Sequence, residues 1–98
     1  MADVTFLPDA EADYQAALAW YCARSPKAAA GFETAVAEAV QDIAANPDLY
    51  GLLDDRHRRC PLRRYPYGLV YRVESADVLV IAVAHSRRSA TYWQGRAP

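Results

Sequence analysis

The sequence lacks an apolar run of the length that a membrane-spanning helix needs. Such a helix takes about 20 consecutive apolar residues, and no stretch of this chain approaches that length. The first residues, MADVTFLPDAEADY, also carry acids where a secretory signal peptide would carry basic residues. We therefore expect a cytoplasmic protein without a membrane partner.

Cysteine is also scarce, with only Cys22 and Cys60 in the chain. In a reducing cytosol, two ordinary thiols are expected rather than a disulfide. The spacing His57-x-x-Cys60 would suit zinc, but Cys22 and His85 are isolated, whereas structural zinc sites usually have paired ligands. The sequence therefore argues against a metal site.

Motifs of common enzymes are absent as well. The four glycines form no phosphate-cradling loop. The chain has no Ser/His/Asp order and no pair of carboxylates in a context that would form a cleft. Ordinary hydrolase and nucleotide-binding chemistry is therefore unsupported, and we expect no cofactor.

What the chain has instead is a division of charge. Residues 1–55 contain ten acids and two bases, which gives −8, and residues 56–98 contain nine arginines and two acids, which gives +7. Guanidinium is a planar fork that suits phosphate and carboxylate and also stacks on rings. Two interpretations stay open: the halves neutralise each other within the fold, or a basic face binds a polyanion or an acidic partner.

The length of 98 residues predicts one domain that spans residues 1–98. Pro8 suits the first position of a helix, whose apolar residues recur at helical spacing until the segment RSPKA breaks it. Ser25 is a typical N-cap and Pro26 a typical first residue for a second helix, which Asn46-Pro47 ends. Abundant alanines favour close packing of the two helices as a hairpin.

The remaining segments predict four strands. Val4 to Leu7 forms a short first strand, and the segment RRCPLRR forms a second that Pro61 confines to a sheet edge. Tyr67 to Glu74 is rich in aromatic and β-branched residues, and Val78 to His85 is an apolar run that suits a central strand. The tail from Ser86 is expected to form a short helical turn. The order β-α-α-β-β-β predicts an α+β fold, with a helical hairpin packed on a small, mostly antiparallel sheet.

The stretch AVAHSRRSATYW, residues 82–93, ends the central strand in basic and aromatic residues. His85 could act as a general base near neutral pH or simply bond to the backbone at a strand end. Arg87 and Arg88 could bind a partner or form a solvated end. Tyr92 and Trp93 favour a hydrophobic lid over the edge of the core rather than a platform for base stacking.

A second cluster, RHRRCPLRRYPY, holds five arginines and a histidine within nine residues, and Tyr65 and Tyr67 follow. Guanidinium forks interleaved with aromatic rings suit nucleic-acid backbones and bases. They equally suit an acidic peptide. A third interpretation is an edge strand that its charges protect from aggregation.

In this order and spacing, the residues resemble the RelE/ParE superfamily of toxins from bacterial type II toxin–antitoxin modules, which includes plasmid stabilisation proteins. The resemblance rests on F-x-P-x-A-x-x-D near the N-terminus, R-x-Y-P-Y-x-x-x-Y-R-V from Arg63 to Val73, and the closing A-x-x-H-x-R-R. It covers nearly the whole chain and implies the βααβββ toxin fold. It also implies a cognate antitoxin, a small DNA-binding protein whose acidic or amphipathic C-terminal segment folds across the toxin.

The superfamily resemblance implies one of two activities. RelE-like members cut mRNA on the ribosome, whereas ParE-like members poison DNA gyrase. If the chain is an mRNA endonuclease, the resemblance assigns catalysis to Arg63, His85, Arg88 and Tyr92. In either branch, the residues expected to bind the target or the antitoxin are Arg58, Arg59, Arg63, Arg64, Tyr67, Arg72, His85, Arg87, Arg88 and Trp93.

Two positions favour the ParE-like branch. Gly68 stands where RelE-like enzymes place a phosphate-binding arginine, and Pro61 replaces a basic residue, although a neighbour such as Arg72 could compensate. The H-x-R-R ending is also more similar to ParE. We therefore expect a toxin that poisons gyrase. The alternatives are a RelE-like mRNA endonuclease and an inactive member that only binds its antitoxin.

Overall fold

The computed structural model describes residues 1–89 and 91–96, in which two helices pack against one face of a four-stranded sheet. The elements are β1 (Val4–Phe6), α1 (Pro8–Arg24), α2 (Pro26–Ala45), β2 (Arg58–Pro61), β3 (Tyr67–Glu74) and β4 (Asp77–His85). The predicted order and the α+β class are confirmed.

Local sequence determines where both helices begin and end. Pro8 opens α1, and Pro26 opens α2. Between them, the Ser25 side chain accepts a hydrogen bond from the N–H of Ala28 at 3.1 Å, so one residue ends the first helix and caps the second. Asn46 follows the last turn of α2. The helices therefore form the tight hairpin that the sequence predicts.

The strands lie in the order β1-β4-β3-β2, so β4 is central. The β3 strand is antiparallel to both β2 and β4, whereas β1 pairs with β4 in parallel. The β1 strand reaches only Val78 to Val80, and from Ile81 onward no strand among the described residues pairs with β4 on that side. Ile81 itself is an extra residue in the ladder, because Val70 pairs with Ala82 and Tyr71 pairs with Val80.

Alternation along the strands gives the sheet two different faces. The helix-facing side packs Leu69, Tyr71 and Val80 against Phe32 and Ile43, and all five side chains are fully buried. The opposite side, which we call the open face, carries a smaller apolar cluster that Trp93 covers. Trp93 is therefore a lid over the edge of the core, as the sequence predicts.

Two further observations concern cysteines and the membrane. Cys22 is exposed and Cys60 is buried, and neither forms a disulfide. Within the described ranges, neither helix has both the length and the apolar composition needed to cross a bilayer.

Gly31 provides a test of how α2 packs against the β2–β3 turn. The Tyr65 hydroxyl donates to the carbonyl of Ala28 at 2.7 Å, and a Cβ at position 31 would fall on that hydroxyl. Alanine in place of glycine usually stabilises a helix by about 1 kcal/mol. We expect Gly31→Ala to lower the free energy of unfolding by about 1–2 kcal/mol instead, because Tyr65 must move. Urea denaturation measures the change.

The same substitution in a Tyr65→Phe background is the control. Removing the hydroxyl removes the atom that meets the new methyl group, so Gly31→Ala should then be neutral or stabilising. An equal loss of stability in both backgrounds would show that the contact with Tyr65 is not the cause.

Candidate functional site

The polar residues at the end of β4 lie between two depressions. His85 pairs with Tyr67 across the sheet, and the two rings meet edge to face with centroids 5.0 Å apart. On the side of the helices lies a groove, here called the helix-side groove, lined by Asp13, Ala16, Ala17, Trp20, Tyr67, Val83, His85, Arg88 and Tyr92. On the other side lies the open-face cleft, lined by Leu53, Arg59, Val70, Ala84, His85, Ser86, Arg88, Ser89 and Trp93. His85 and Arg88 border both.

A backbone hydrogen bond determines which ring nitrogen of neutral His85 carries the proton. The N–H of Arg87 donates to Nδ1 of His85 at 3.0 Å. A ring nitrogen that accepts a hydrogen bond carries no proton, so the neutral imidazole holds its proton on Nε2. His85 can then donate from Nε2, but it has no free lone pair with which to act as a general base.

Tyr92 contacts charged groups at the face of its ring and at its hydroxyl. The Arg88 guanidinium lies 4.0 Å from the centre of the ring, and the hydroxyl lies 3.4 Å from Oδ2 of Asp13. Burial raises the pKa of Tyr92 above its usual value, and the negative charge of Asp13 adds to the effect. The phenol therefore stays protonated at neutral pH and points its hydroxyl towards Asp13.

Asp13 and Arg96 close the part of the sheet edge that β1 leaves uncovered. Their side chains form two hydrogen bonds, of 2.7 and 3.2 Å. Asp13 also accepts from the N–H of Val83 at 3.1 Å, and Arg96 donates to the carbonyl of Ile81 at 3.0 Å. The ion pair thus satisfies backbone groups of β4 next to its extra residue. The described tail folds back onto α1 through this pair.

The open-face cleft contains a guanidinium that lies directly over a glycine. Arg59 on β2 points to the same face as Gly68 on β3. A Cβ built on Gly68 would be 2.6 Å from Cζ of Arg59 and 2.7 Å from its Nε. The missing side chain is what allows the guanidinium to rest on the sheet. The arginine that the sequence lacks at position 68 is therefore matched in space by a charge from the neighbouring strand.

A histidine–aspartate pair supports the Trp93 wall of this cleft. The rings of His57 and Trp93 are 4.7 Å apart, and Nδ1 of His57 lies 2.9 Å from Oδ2 of Asp54. The N–H of Arg56 contributes most to lowering the pKa of Asp54, and the N–H and ring of His57 lower it further. His57, which is buried, thus has a packing role. Among the described residues, no group of three His, Cys, Asp or Glu could hold a metal ion.

The structure places several predicted binding residues elsewhere. Arg63 and Arg64 line grooves beside α2, near Glu38, and neither lines the helix-side groove or the open-face cleft. The structure therefore does not bring Arg63 together with His85, Arg88 and Tyr92. Arg87 is exposed and lies just outside the cleft.

Arg58 and Arg72, two of the predicted binding residues, have guanidinium groups that contact other groups of the protein. The Arg58 guanidinium donates to the carbonyls of Asp48 and Tyr50, which ties the preceding loop to β2. Arg72 is only 3% exposed, and its Nε lies 3.1 Å from a carboxylate oxygen of Glu74. Every residue of β3 from Gly68 to Arg72 is buried, so both faces of the strand are covered there, and this accounts for the burial of Arg72.

Sequence reasoning missed Arg96, Ser86 and Ser89. In the sequence, Asp13 stands out only as the last residue of the motif F-x-P-x-A-x-x-D, and its partner Arg96 lies 83 residues away in the chain. The serines line the open-face cleft without belonging to a motif. No periodicity or spacing in the sequence identifies these residues.

Comparison with known proteins gives consistent results. The model of a family described as "ParE toxin of type II toxin-antitoxin system, parDE" matches residues 4–90. Among solved structures, a chain of the chromosomal ParDE toxin–antitoxin system from P. aeruginosa superposes with a TM-score of 0.74 at 20% sequence identity, over 87% of this chain and 96% of that chain. At that identity the likeness establishes the fold. No curated protein matches the sequence.

Proposed function

This chain belongs to the family of ParE toxins of type II toxin–antitoxin systems, and from that membership we propose that it inhibits growth by poisoning DNA gyrase. It acts by binding rather than by catalysis. A cognate antitoxin, a small DNA-binding protein with an acidic or amphipathic C-terminal segment, neutralises it in the cytoplasm.

The state of the acid–base residues supports binding over RNA cleavage. Cleavage by the 2′-hydroxyl of RNA needs a group that accepts its proton. His85 has its Nδ1 lone pair engaged by the N–H of Arg87, and the Tyr92 hydroxyl donates towards Asp13 with a raised pKa. Neither residue offers a ready base. The match to the ParE toxin family carries the gyrase proposal, and these two engaged side chains favour binding over cleavage.

A second candidate is a RelE-like mRNA endonuclease, and the position of Arg59 favours it. The guanidinium above Gly68 supplies positive charge where the sequence alone indicates none. Charge of that kind stabilises a phosphorane-like transition state. For this candidate Arg59 supplies a phosphate ligand, whereas His85 and Tyr92 do not supply the proton acceptor, so both activities should be measured on the same preparation.

The antitoxin contact follows from the charge division. The exposed Arg63 and Arg64 border grooves along α2, and Arg88 borders the two depressions at the end of β4. An acidic segment that crosses the helices and the sheet would meet all three charges. Reversing these three charges together should weaken the complex mainly through slower association at low salt.

A supercoiling assay with purified toxin, DNA gyrase and relaxed plasmid tests the proposal. The expected result is loss of supercoiling with increasing toxin and its recovery when the cognate antitoxin is added. In parallel, primer extension on programmed ribosomes tests the second candidate, which needs a toxin-dependent cut. Full supercoiling at toxin excess together with such a cut would replace the first function with the second. Normal growth of cells that express the chain alone would indicate an inactive family member.

A further inference from the structure

The open-face cleft holds two positive charges that no acid neutralises. Arg59 and Arg88 both line it, and none of the residues known to line it is acidic. Across residues 1–89 and 91–96, no carboxylate oxygen lies within 4.0 Å of either guanidinium. Four other basic residues do have such partners: His57, Arg58, Arg72 and Arg96. Other basic residues in these ranges also have no carboxylate within 4.0 Å, but Arg59 and Arg88 share one depression whose described lining residues include no acid.

The backbone is shaped to hold one of these charges in place. Because Gly68 has no Cβ, the Arg59 guanidinium lies flat against β3, and any side chain at position 68 would displace it. The floor beneath is apolar, formed by the buried Val70 and Ala84. An ion above such a floor is less well hydrated, which strengthens its attraction to an opposite charge.

Serine side chains add polar groups to the cleft. Ser86 and Ser89 both line it, and the Ser89 hydroxyl lies 2.9 Å from Oγ1 of Thr91 and accepts from the Thr91 N–H. The His85 ring meets Tyr67 on the helix-facing side of the sheet, so His85 borders the cleft without aiming its imidazole into it. Guanidinium forks and serine hydroxyls are donors that proteins use to bind phosphate oxygens.

We infer that the open-face cleft binds a backbone phosphate of DNA, with Arg59 and Arg88 as its two charged ligands. The two non-bridging oxygens of a backbone phosphate can each accept from one of the two guanidinium groups. The choice of DNA rests on the proposed function, because gyrase holds DNA during its reaction. The toxin thus contacts the DNA as well as the enzyme.

Fluorescence anisotropy with a labelled short DNA duplex at low salt tests this inference. Arg59→Gln and Arg88→Gln should each weaken binding about tenfold and reduce the slope of log K against log salt by about one. Gly68→Ala should also weaken binding several-fold although it removes no charge, because the new methyl group displaces Arg59. Thermal unfolding of each variant confirms that the fold is intact.

Two controls match these variants. Lys27→Gln removes one charge from an exposed position at the start of α2, on the other side of the sheet, and Gly95→Ala adds a methyl group where nothing lies within 4 Å. Both should bind the duplex as the unsubstituted protein does. If the unsubstituted protein does not bind DNA at low salt, or if the cleft variants bind like the controls, the inference is overturned. Tighter binding of a single-stranded RNA, or equal displacement of the duplex by a polyglutamate peptide, overturns it as well.

Gyrase inhibition measured on the same samples separates this inference from the proposed function. If the toxin inhibits gyrase but DNA binding does not depend on the cleft, only the phosphate site fails. If the cleft variants weaken DNA binding but gyrase keeps full activity in the presence of the toxin, the phosphate site stands and the proposed target fails.

Discussion

Replacing Asp13 with alanine is expected to lower the free energy of unfolding by about 3 kcal/mol. The side chains of Asp13 and Arg96 are only 14% and 16% exposed, and the substitution leaves the Arg96 charge without its closest partner. It also leaves the N–H of Val83 without an acceptor, at an edge that β1 does not reach. Chemical denaturation at neutral pH measures the change.

Asp9→Ala is the matched control for Asp13→Ala. Asp9 lies one turn earlier on α1, is 67% exposed and is 3.9 Å from Arg96, so its removal should cost less than about 0.5 kcal/mol. Arg96→Ala and the double variant complete a cycle that isolates the pair. Equal losses for Asp13→Ala and Asp9→Ala would mean that the edge is held by other contacts.

Phe32→Ala is expected to have the largest effect on stability, a loss of about 3–5 kcal/mol. Phe32 is fully buried, and its ring centroid lies 5.2–5.7 Å from those of Tyr14, Tyr21, Tyr65 and Tyr67. Removing the ring leaves a cavity where both helices, the β2–β3 turn and the start of β3 meet. The free energy of unfolding of a small domain is about 5–15 kcal/mol, so the Tm should fall by tens of degrees.

Trp20→Ala provides the comparison for Phe32→Ala. Trp20 is 51% exposed and contacts Arg24 and Tyr21, so its loss should cost less than about 1 kcal/mol despite the larger ring. If Phe32→Ala proves no more destabilising than Trp20→Ala, the packing of Phe32 among the four tyrosines does not hold the helices on the sheet.

Local signals in the sequence were sufficient to predict the elements of the fold. Pro8, Ser25-Pro26 and Asn46 delimit the helices through their own backbone chemistry, and Tyr67–Glu74 forms the predicted strand. The apolar run up to His85 predicted the central strand because such a run needs cover on its faces. These inferences depend only on neighbours in the chain.

The arrangement of the site could not be predicted in the same way, because it depends on contacts between distant segments. The Arg59 guanidinium rests on Gly68 only because β2 pairs with β3. The sequence therefore indicates no positive charge at position 68, whereas the structure places the charge of Arg59 there. Arg72 resembles the exposed arginines in sequence, but its place on a partly covered face buries it. The pairing of Asp13 with Arg96 follows from the short reach of β1.

The most direct test of the account is whether the purified toxin traps gyrase on cut DNA. Gyrase, plasmid and toxin are incubated together, the protein is denatured and digested, and the plasmid is resolved on a gel. We expect linear plasmid to accumulate in proportion to the toxin and to disappear when the cognate antitoxin is added first. Plasmid that stays uncut and fully supercoiled at toxin excess would contradict the account.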